Sequence, residues 1–100
     1  MTSAPGRHDV FVYKTLKRQH VRTQALGHKM PDGPATALLG YMEVERAGWP
    51  TLEVASGRRV TGELLEVSDS DLIKLDEWEF RYRRIRVLTL AGPAWAYVLR

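Results

Sequence analysis

Segments in which apolar and polar residues alternate make up most of this chain, and glycine- and proline-rich breaks separate them. The first segment, residues 9–13, is β-branched and aromatic and predicts a strand. Further strands are predicted at residues 35–45, 51–55, 59–67, 81–90 and 94–99. Ser56-Gly57 and Gly92-Pro93 mark predicted turns. The short connections favour antiparallel pairing of neighbouring strands.

One helix is predicted to begin at Ser68 and to run through about Glu77. Ser68 and Asp71 have the spacing of a capping box, which satisfies free amides at a helix start. Residues 15–26 have few apolar positions and many basic ones, so they predict either a helical turn or irregular chain. Together these elements predict an α+β fold: a small mixed, strongly curled β-barrel of about six strands with one or two short helices.

The length and composition predict a single small domain. Residues 1–8, which include serine, proline and glycine, predict a mobile N-terminal tail, and residues 9–100 predict the domain itself. No apolar run approaches the roughly 20 residues of a membrane span, and the first residues lack the apolar core of a signal peptide. We therefore expect a cytoplasmic protein that makes no membrane contact.

The charge pattern gives little information about partners. The net charge is +3, and basic residues cluster at residues 14–22 and 81–86. A mildly basic small domain is weak evidence for nucleic-acid binding, so we interpret these clusters as solvated surface with some ion pairs. The chain has no cysteine, and its three histidines lack metal-ligand spacing, so we expect no disulfide and no cysteine- or histidine-ligated metal.

Glu79 is the residue that the helix pattern singles out. Leu72, Leu75 and Glu79 are spaced i, i+3 and i+7, so the carboxylate lies on the face expected to be buried. A buried carboxylate needs a partner or a chemical task, and its place at the negative end of the helix dipole suits general acid–base catalysis. The simpler alternative is an ion pair with Arg81 or Arg83 at the rim.

The polar turn after the first strand is the second candidate site. Backbone amides where a strand ends can form a concave anion site. Tyr13 and Thr15 would add hydroxyl groups to it. The simpler alternative is a strand end followed by an ordinary polar turn.

Three segments carry a family resemblance through their order and spacing: VFVYKTLKR at residues 10–18, VTGELLEV at residues 60–67 and LIKLDEWE at residues 72–79. They resemble the signatures of the gamma-glutamylcyclotransferase-like (AIG2-like) family. Those signatures are a hydrophobic strand followed by Tyr-Gly-Ser/Thr-Leu, then V-x-G-E-L-Y-E-V, then L-x-x-L-D-x-x-E. Tyr82 and Arg83 fit the tyrosine and arginine that follow, and Trp49-Pro50 stands near the family's aromatic-proline pair.

The resemblance implies a small mixed β-barrel and an enzyme that cleaves a gamma-glutamyl amide with ring closure to 5-oxoproline. It implies that Glu79 is the general base, which takes a proton from the substrate α-amine and returns it to the departing amine. The partner would be a small-molecule gamma-glutamyl substrate, and no metal or organic cofactor would be required. The residues implied to bind the substrate are those of the turn and one that follows the helix: Tyr13, Lys14, Thr15, Leu16 and Tyr82.

Two positions depart from the family pattern. Lys14 stands where the family has glycine, and Phe80 stands where it commonly has glycine. Each larger side chain falls in a segment that would form the site. The alternative function is therefore a catalytically impaired or inactive small-ligand-binding domain on the same fold.

Overall fold

Five strands and two helices form the architecture of the computed structural model, which describes residues 6–100 except for the side chain of Thr15. In chain order the elements are β1 (Arg7–Val12), a 3₁₀ turn (Thr15–Lys17), α1 (Gln19–Leu26), β2 (Ala35–Arg46), β3 (Trp49–Ser68), α2 (Asp69–Trp78), β4 (Tyr82–Thr89) and β5 (Gly92–Leu99). No helix in the described part of the chain is long and apolar enough to cross a membrane.

The strands close into a barrel in the order β1-β3-β2-β4-β5. Four of the pairings are antiparallel, whereas β1 and β5 are parallel, with Val10 opposite Trp95. The barrel is therefore mixed, and the predicted α+β fold class is confirmed.

The strand count is five rather than about six, because the strands predicted at 51–55 and 59–67 are one strand, β3. Its pairing with β2 shifts register between Leu39 and Tyr41, which leaves extra β3 residues around Gly57 at a bulge. Gly57 has a φ of +77°, so this glycine bends the strand without ending it. The hairpin turn lies earlier, at Ala47 and Gly48, which both have positive φ.

The N-terminal boundary also differs from the prediction. β1 begins at Arg7, which pairs with Ser68, so residues 7 and 8 of the predicted tail belong to the barrel. Residues 1–5 of that tail lie outside the described residues.

The segment predicted as a helical turn or irregular chain forms the 3₁₀ turn and α1. Arg22 of α1 is fully buried and donates to the carbonyls of Lys17 and Pro31, at 2.9 and 3.0 Å, and to the carboxylate of Asp32. One buried guanidinium therefore ties α1 to the loops on both sides of it.

The predicted start of α2 is confirmed. Ser68 is the N-cap, and its hydroxyl accepts from the Asp71 amide at 3.1 Å. Leu72 and Leu75 are buried in the same apolar cluster as Val10, which comes from β1. This packing fixes α2 against the barrel and determines where its last residues point.

Candidate active site

A cavity of about 190 Å³ lies at the C-terminal end of α2. Lys14, which follows β1, lines one side, and Trp49 and Pro50 at the start of β3 line another. Residues 78–82, between the end of α2 and the start of β4, complete the lining. The cavity therefore joins both segments that the sequence singles out.

The Glu79 side chain lies at this cavity and is only 5% exposed. Glu79 follows the last helical residue, and its amide still donates to the Leu75 carbonyl at 2.9 Å. The helical hydrogen-bonding pattern thus reaches Glu79 and directs it inward, as the i, i+3, i+7 spacing predicts. The alternative of a rim ion pair with Arg81 or Arg83 does not hold, because the partner of Glu79 is Lys14.

Lys14 donates from Nζ to Oε2 of Glu79, and its side chain is 6% exposed. The Nζ atom also lies 4.2 Å from the centre of the Tyr82 ring, in a cation–π contact. Burial lowers the pKa of Lys14, and the attraction of Glu79 opposes that change. Lys14 stands where the family has glycine, but its φ is not positive, because Ala47 is the only non-glycine with positive φ among the described residues. The lysine therefore causes no backbone strain at this position.

The other residues of the turn contribute differently. The Tyr13 side chain lies in the core and donates its hydroxyl to the Tyr97 carbonyl, and Leu16 is buried in the core. Neither residue lines the cavity beside Glu79, so each would contact a ligand there through its backbone. The side chain of Thr15 lies outside the description, whereas its backbone begins the 3₁₀ turn. The predicted hydroxyl contributions of Tyr13 and Thr15 thus gain no support here.

Tyr82 forms a wall of the cavity. It is buried, and its hydroxyl donates to the Pro50 carbonyl at 2.8 Å. Burial, together with the nearby Glu79 carboxylate, raises the pKa of Tyr82. Its hydroxyl is therefore held protonated, and its ring supports the Lys14 ammonium.

Trp78, Phe80 and Arg81 also line the cavity, although none of them is among the substrate-binding residues predicted from the sequence. Phe80 stands where the family commonly has glycine, and it is 64% exposed. Phe80 thus lies at the rim, where it leaves the interior open. The sequence feature that could have identified these lining residues is the concentration of aromatic and basic residues around the end of the helix.

A second layer of hydrogen bonds lies behind the site. The Tyr97 hydroxyl donates to Oδ1 of Asp76 at 2.7 Å, and Nε of Arg84 donates to the same oxygen at 2.8 Å. Because Tyr13 donates to Tyr97, a connected set of polar groups runs from the turn after β1 to α2 and β4. Asp76, in the last turn of α2, is thereby fixed in position.

The arrangement can exchange a proton with an amine. A buried carboxylate, already in contact with an ammonium group, borders a cavity large enough for a small ligand. A ligand amine placed where the Lys14 ammonium lies would be within hydrogen-bond reach of Glu79.

Known proteins share this fold. A family model described as "Gamma-glutamyl cyclotransferase, AIG2-like" matches residues 10–100. A search of curated protein sequences gives no match. Among solved structures, one Arabidopsis thaliana protein is 25% identical with a TM-score of 0.83, and the match covers 99% of this chain and 66% of that one. This chain therefore spans slightly less than two thirds of that relative.

Two further structures show the same fold at lower identity. A protein named gamma-glutamyl cyclotransferase is 16% identical with a TM-score of 0.73, and the match covers 94% of this chain and 67% of that one. A mouse AIG2-like protein is 22% identical with a TM-score of 0.68, and the match covers 92% and 76% respectively.

Proposed function

We propose, since the chain belongs to the gamma-glutamyl cyclotransferase, AIG2-like family, that it cleaves a gamma-glutamyl amide with ring closure to 5-oxoproline. The observation that carries this proposal is the position of Glu79. Its buried carboxylate borders a cavity and contacts the side-chain nitrogen of Lys14 there. Removing a proton from an amine is the first requirement of the proposed ring closure.

In the proposed mechanism the substrate α-ammonium takes the place of the Lys14 ammonium at Glu79. Glu79 accepts a proton, and the freed amine attacks the γ-carbonyl carbon of the same molecule. Because both reacting groups belong to one substrate, holding it in a folded shape supplies much of the rate enhancement. In the tetrahedral intermediate Glu79 returns its proton to the departing nitrogen, and the bond from carbon to that nitrogen breaks. The ring nitrogen still carries one extra proton, which Glu79 transfers to the departing amine, so the products are the neutral lactam ring and an ammonium ion. No water is consumed.

The turn after β1 supplies the remaining interactions. Amides at the start of a 3₁₀ turn have no partner within the turn, so those of residues 14–16 are suited to bind an oxyanion or the substrate carboxylate. Lys14, once displaced from Glu79, would be free to attract the same carboxylate. Tyr82 would then support the folded substrate with its ring.

Replacement of the base tests the proposal. Glu79→Gln should lower release of 5-oxoproline from gamma-glutamyl amino acids and gamma-glutamyl-lysine peptides by about 100-fold or more, the usual effect of losing a general base. Glu77→Gln, at an exposed position of α2, is the matched control and should keep full activity. Thermal melting would confirm that both variants fold. Unchanged turnover in Glu79→Gln would remove Glu79 from the mechanism.

A second candidate function is a ligand-binding domain with little or no turnover. The contact between Lys14 and Glu79 favours it, because the carboxylate is already engaged. Calorimetric binding of 5-oxoproline by a protein that does not release it from any tested amide would support this alternative. A large gain of turnover in Lys14→Gly would show that Lys14 is what suppresses catalysis.

A further inference from the structure

An arginine between two aromatic rings forms the mouth of the cavity beside Glu79. The guanidinium carbon of Arg81 lies 4.4 Å from the centre of the Trp49 ring and 4.7 Å from that of Phe80. Trp49 is 43% exposed and Phe80 is 64% exposed. Cation–π contacts of this kind hold a guanidinium while leaving N–H groups free to donate.

In the ligand-free protein, the charge of Arg81 is the one at the cavity that an incoming ligand meets without an ion-pair partner among the described residues. Three charged residues line the cavity: Lys14, Glu79 and Arg81. Lys14 and Glu79 pair with each other, whereas within residues 6–100 no carboxylate lies at ion-pair distance from Arg81. The mouth therefore attracts an anionic group and repels a cationic one. A carboxylate can accept two parallel hydrogen bonds from a guanidinium.

The geometry of the reaction decides which part of the substrate meets this mouth; the argument here rests on the proposed function. The substrate α-amine must reach Glu79, so the glutamyl group occupies the inner part of the cavity. The departing amine then lies toward the opening, next to Trp49, Phe80 and Arg81. Any group carried by the departing amine would meet two aromatic side chains and a cation.

We propose that Arg81, Trp49 and Phe80 select the departing amine. The preferred amine carries a carboxylate next to a flat apolar side chain, as in a gamma-glutamyl dipeptide with an aromatic second residue. Amines with a second positive charge, such as a polyamine, are disfavoured because Arg81 repels them. Trp49 and Phe80 act as specificity residues through apolar contact, and Arg81 through its charge.

Three ligands separate the two contributions: gamma-glutamyl-phenylalanine, gamma-glutamyl-phenethylamine and gamma-glutamyl-alanine. The second lacks only the carboxylate of the first, and the third replaces only its benzyl side chain with methyl. Binding to the Glu79→Gln protein is measured by calorimetry, and kcat/KM is measured with the parent protein. We expect loss of the carboxylate to weaken binding about tenfold, and loss of the ring to weaken it by roughly the same factor.

Variants of the mouth test the assignment. Arg81→Gln should bring gamma-glutamyl-phenylalanine and gamma-glutamyl-phenethylamine to within about twofold of each other, because only the charge-assisted contact is lost. Arg83→Gln removes an exposed arginine that does not line the cavity and should keep the original ratio. Phe80→Ala should reduce the discrimination between phenylalanine and alanine while keeping the dependence on the carboxylate.

The outcomes separate this proposal from the proposed function. Equal binding of all three ligands, no measurable binding of any, or an equal loss for every ligand in Arg81→Gln overturns the selectivity proposal. If the protein releases 5-oxoproline from all three ligands with equal kcat/KM, the selectivity proposal is overturned and the proposed function stands. Binding that depends on Arg81 as expected, with no 5-oxoproline from the parent protein, overturns the proposed function and leaves the mouth as a ligand-selecting site.

Discussion

At the scale of single residues, the buried pair of Lys14 and Glu79 dominates the site. Both side chains are more than nine-tenths buried, so each charge has lost most of its water. The ion pair offsets part of the cost of burying both charges, and removing one partner would leave the other buried without compensation. The contact with an amine nitrogen makes Glu79 a candidate base. In the free protein the same contact occupies its carboxylate with Lys14.

This pairing predicts a pattern of stability changes. Lys14→Met leaves the Glu79 carboxylate buried without its cation and should destabilise the fold by about 3–5 kcal/mol. Glu79→Gln should also destabilise it, because Lys14 then lacks an anion. The double variant Lys14→Met/Glu79→Gln should be clearly more stable than the sum of the two losses implies. Urea unfolding of the four proteins measures the coupling, with Lys17→Met at an exposed position as control. Two small, additive effects would show that the pair contributes little.

The sequence could predict half of this pair. Helical spacing placed Glu79 on the buried face, because Leu72 and Leu75 lie on the same side of α2. Its partner could not be found in that way, since Lys14 is 65 residues away and meets Glu79 only after the barrel has closed. Local periodicity carries no information about such a contact, so the nearby arginines appeared to be the simpler partners.

At the scale of elements, the pairing of β1 with β3 positions the turn that carries Lys14. Val12, the last residue of β1, pairs with Glu63 of β3. A methyl group at the neighbouring Gly62 would overlap the Val12 carbonyl oxygen and would lie 2.8 Å from the Phe11 ring. Glycine here lets β1 lie close against β3, directly before the turn.

Gly62→Ala should therefore destabilise the protein by about 3 kcal/mol, at the upper end of the usual overpacking cost, because backbone has to move. The shift of β1 should also displace the turn, so 5-oxoproline release should fall more than the folded fraction does. Chemical denaturation and kcat/KM would be compared with Thr61→Ala, an exposed change on the same strand. Normal stability and activity in Gly62→Ala would mean that β1 can move without affecting the site.

The strands also show where sequence patterns fail. Gly57 looked like a turn because glycine commonly ends a strand, and it divided β3 into two predicted pieces. In the barrel Gly57 has a positive φ, but it lies in a bulge opposite Gly40. Because β3 pairs with β2 on both sides of this bulge, the strand continues. Whether a glycine turns the chain or only bends it depends on the neighbouring strand, which no local pattern contains.

At the scale of the whole molecule, buried hydroxyl groups connect elements that are distant in sequence. The Tyr13 hydroxyl donates to the backbone carbonyl of Tyr97 in β5. The Tyr97 hydroxyl donates to the carboxylate of Asp76 in α2, which also accepts a hydrogen bond from Arg84 of β4. Because each donor is a protonated phenol or a guanidinium, these bonds require both tyrosines to keep their protons. Burial raises the pKa of Tyr13 and of Tyr97, so folding favours the protonated form.

The barrel should consequently lose stability at alkaline pH. A group whose pKa is higher in the folded state stabilises it fully below the unfolded value, here 10.0, and that contribution is lost as the pH rises. Lys14 acts in the opposite sense, because its folded pKa is lowered, but its effect is essentially complete above its ordinary value of 10.5. Between about pH 10.5 and about pH 11.5, Tyr13 and Tyr97 should therefore lower the free energy of unfolding by roughly 2 kcal/mol, and Tyr82, whose pKa is also raised, should add to the loss. Urea unfolding at both pH values measures this change, and Tyr13→Phe should reduce it by about a third to a half. An unfolding free energy that stays constant over this range would mean that Tyr13 and Tyr97 can ionise within the folded barrel.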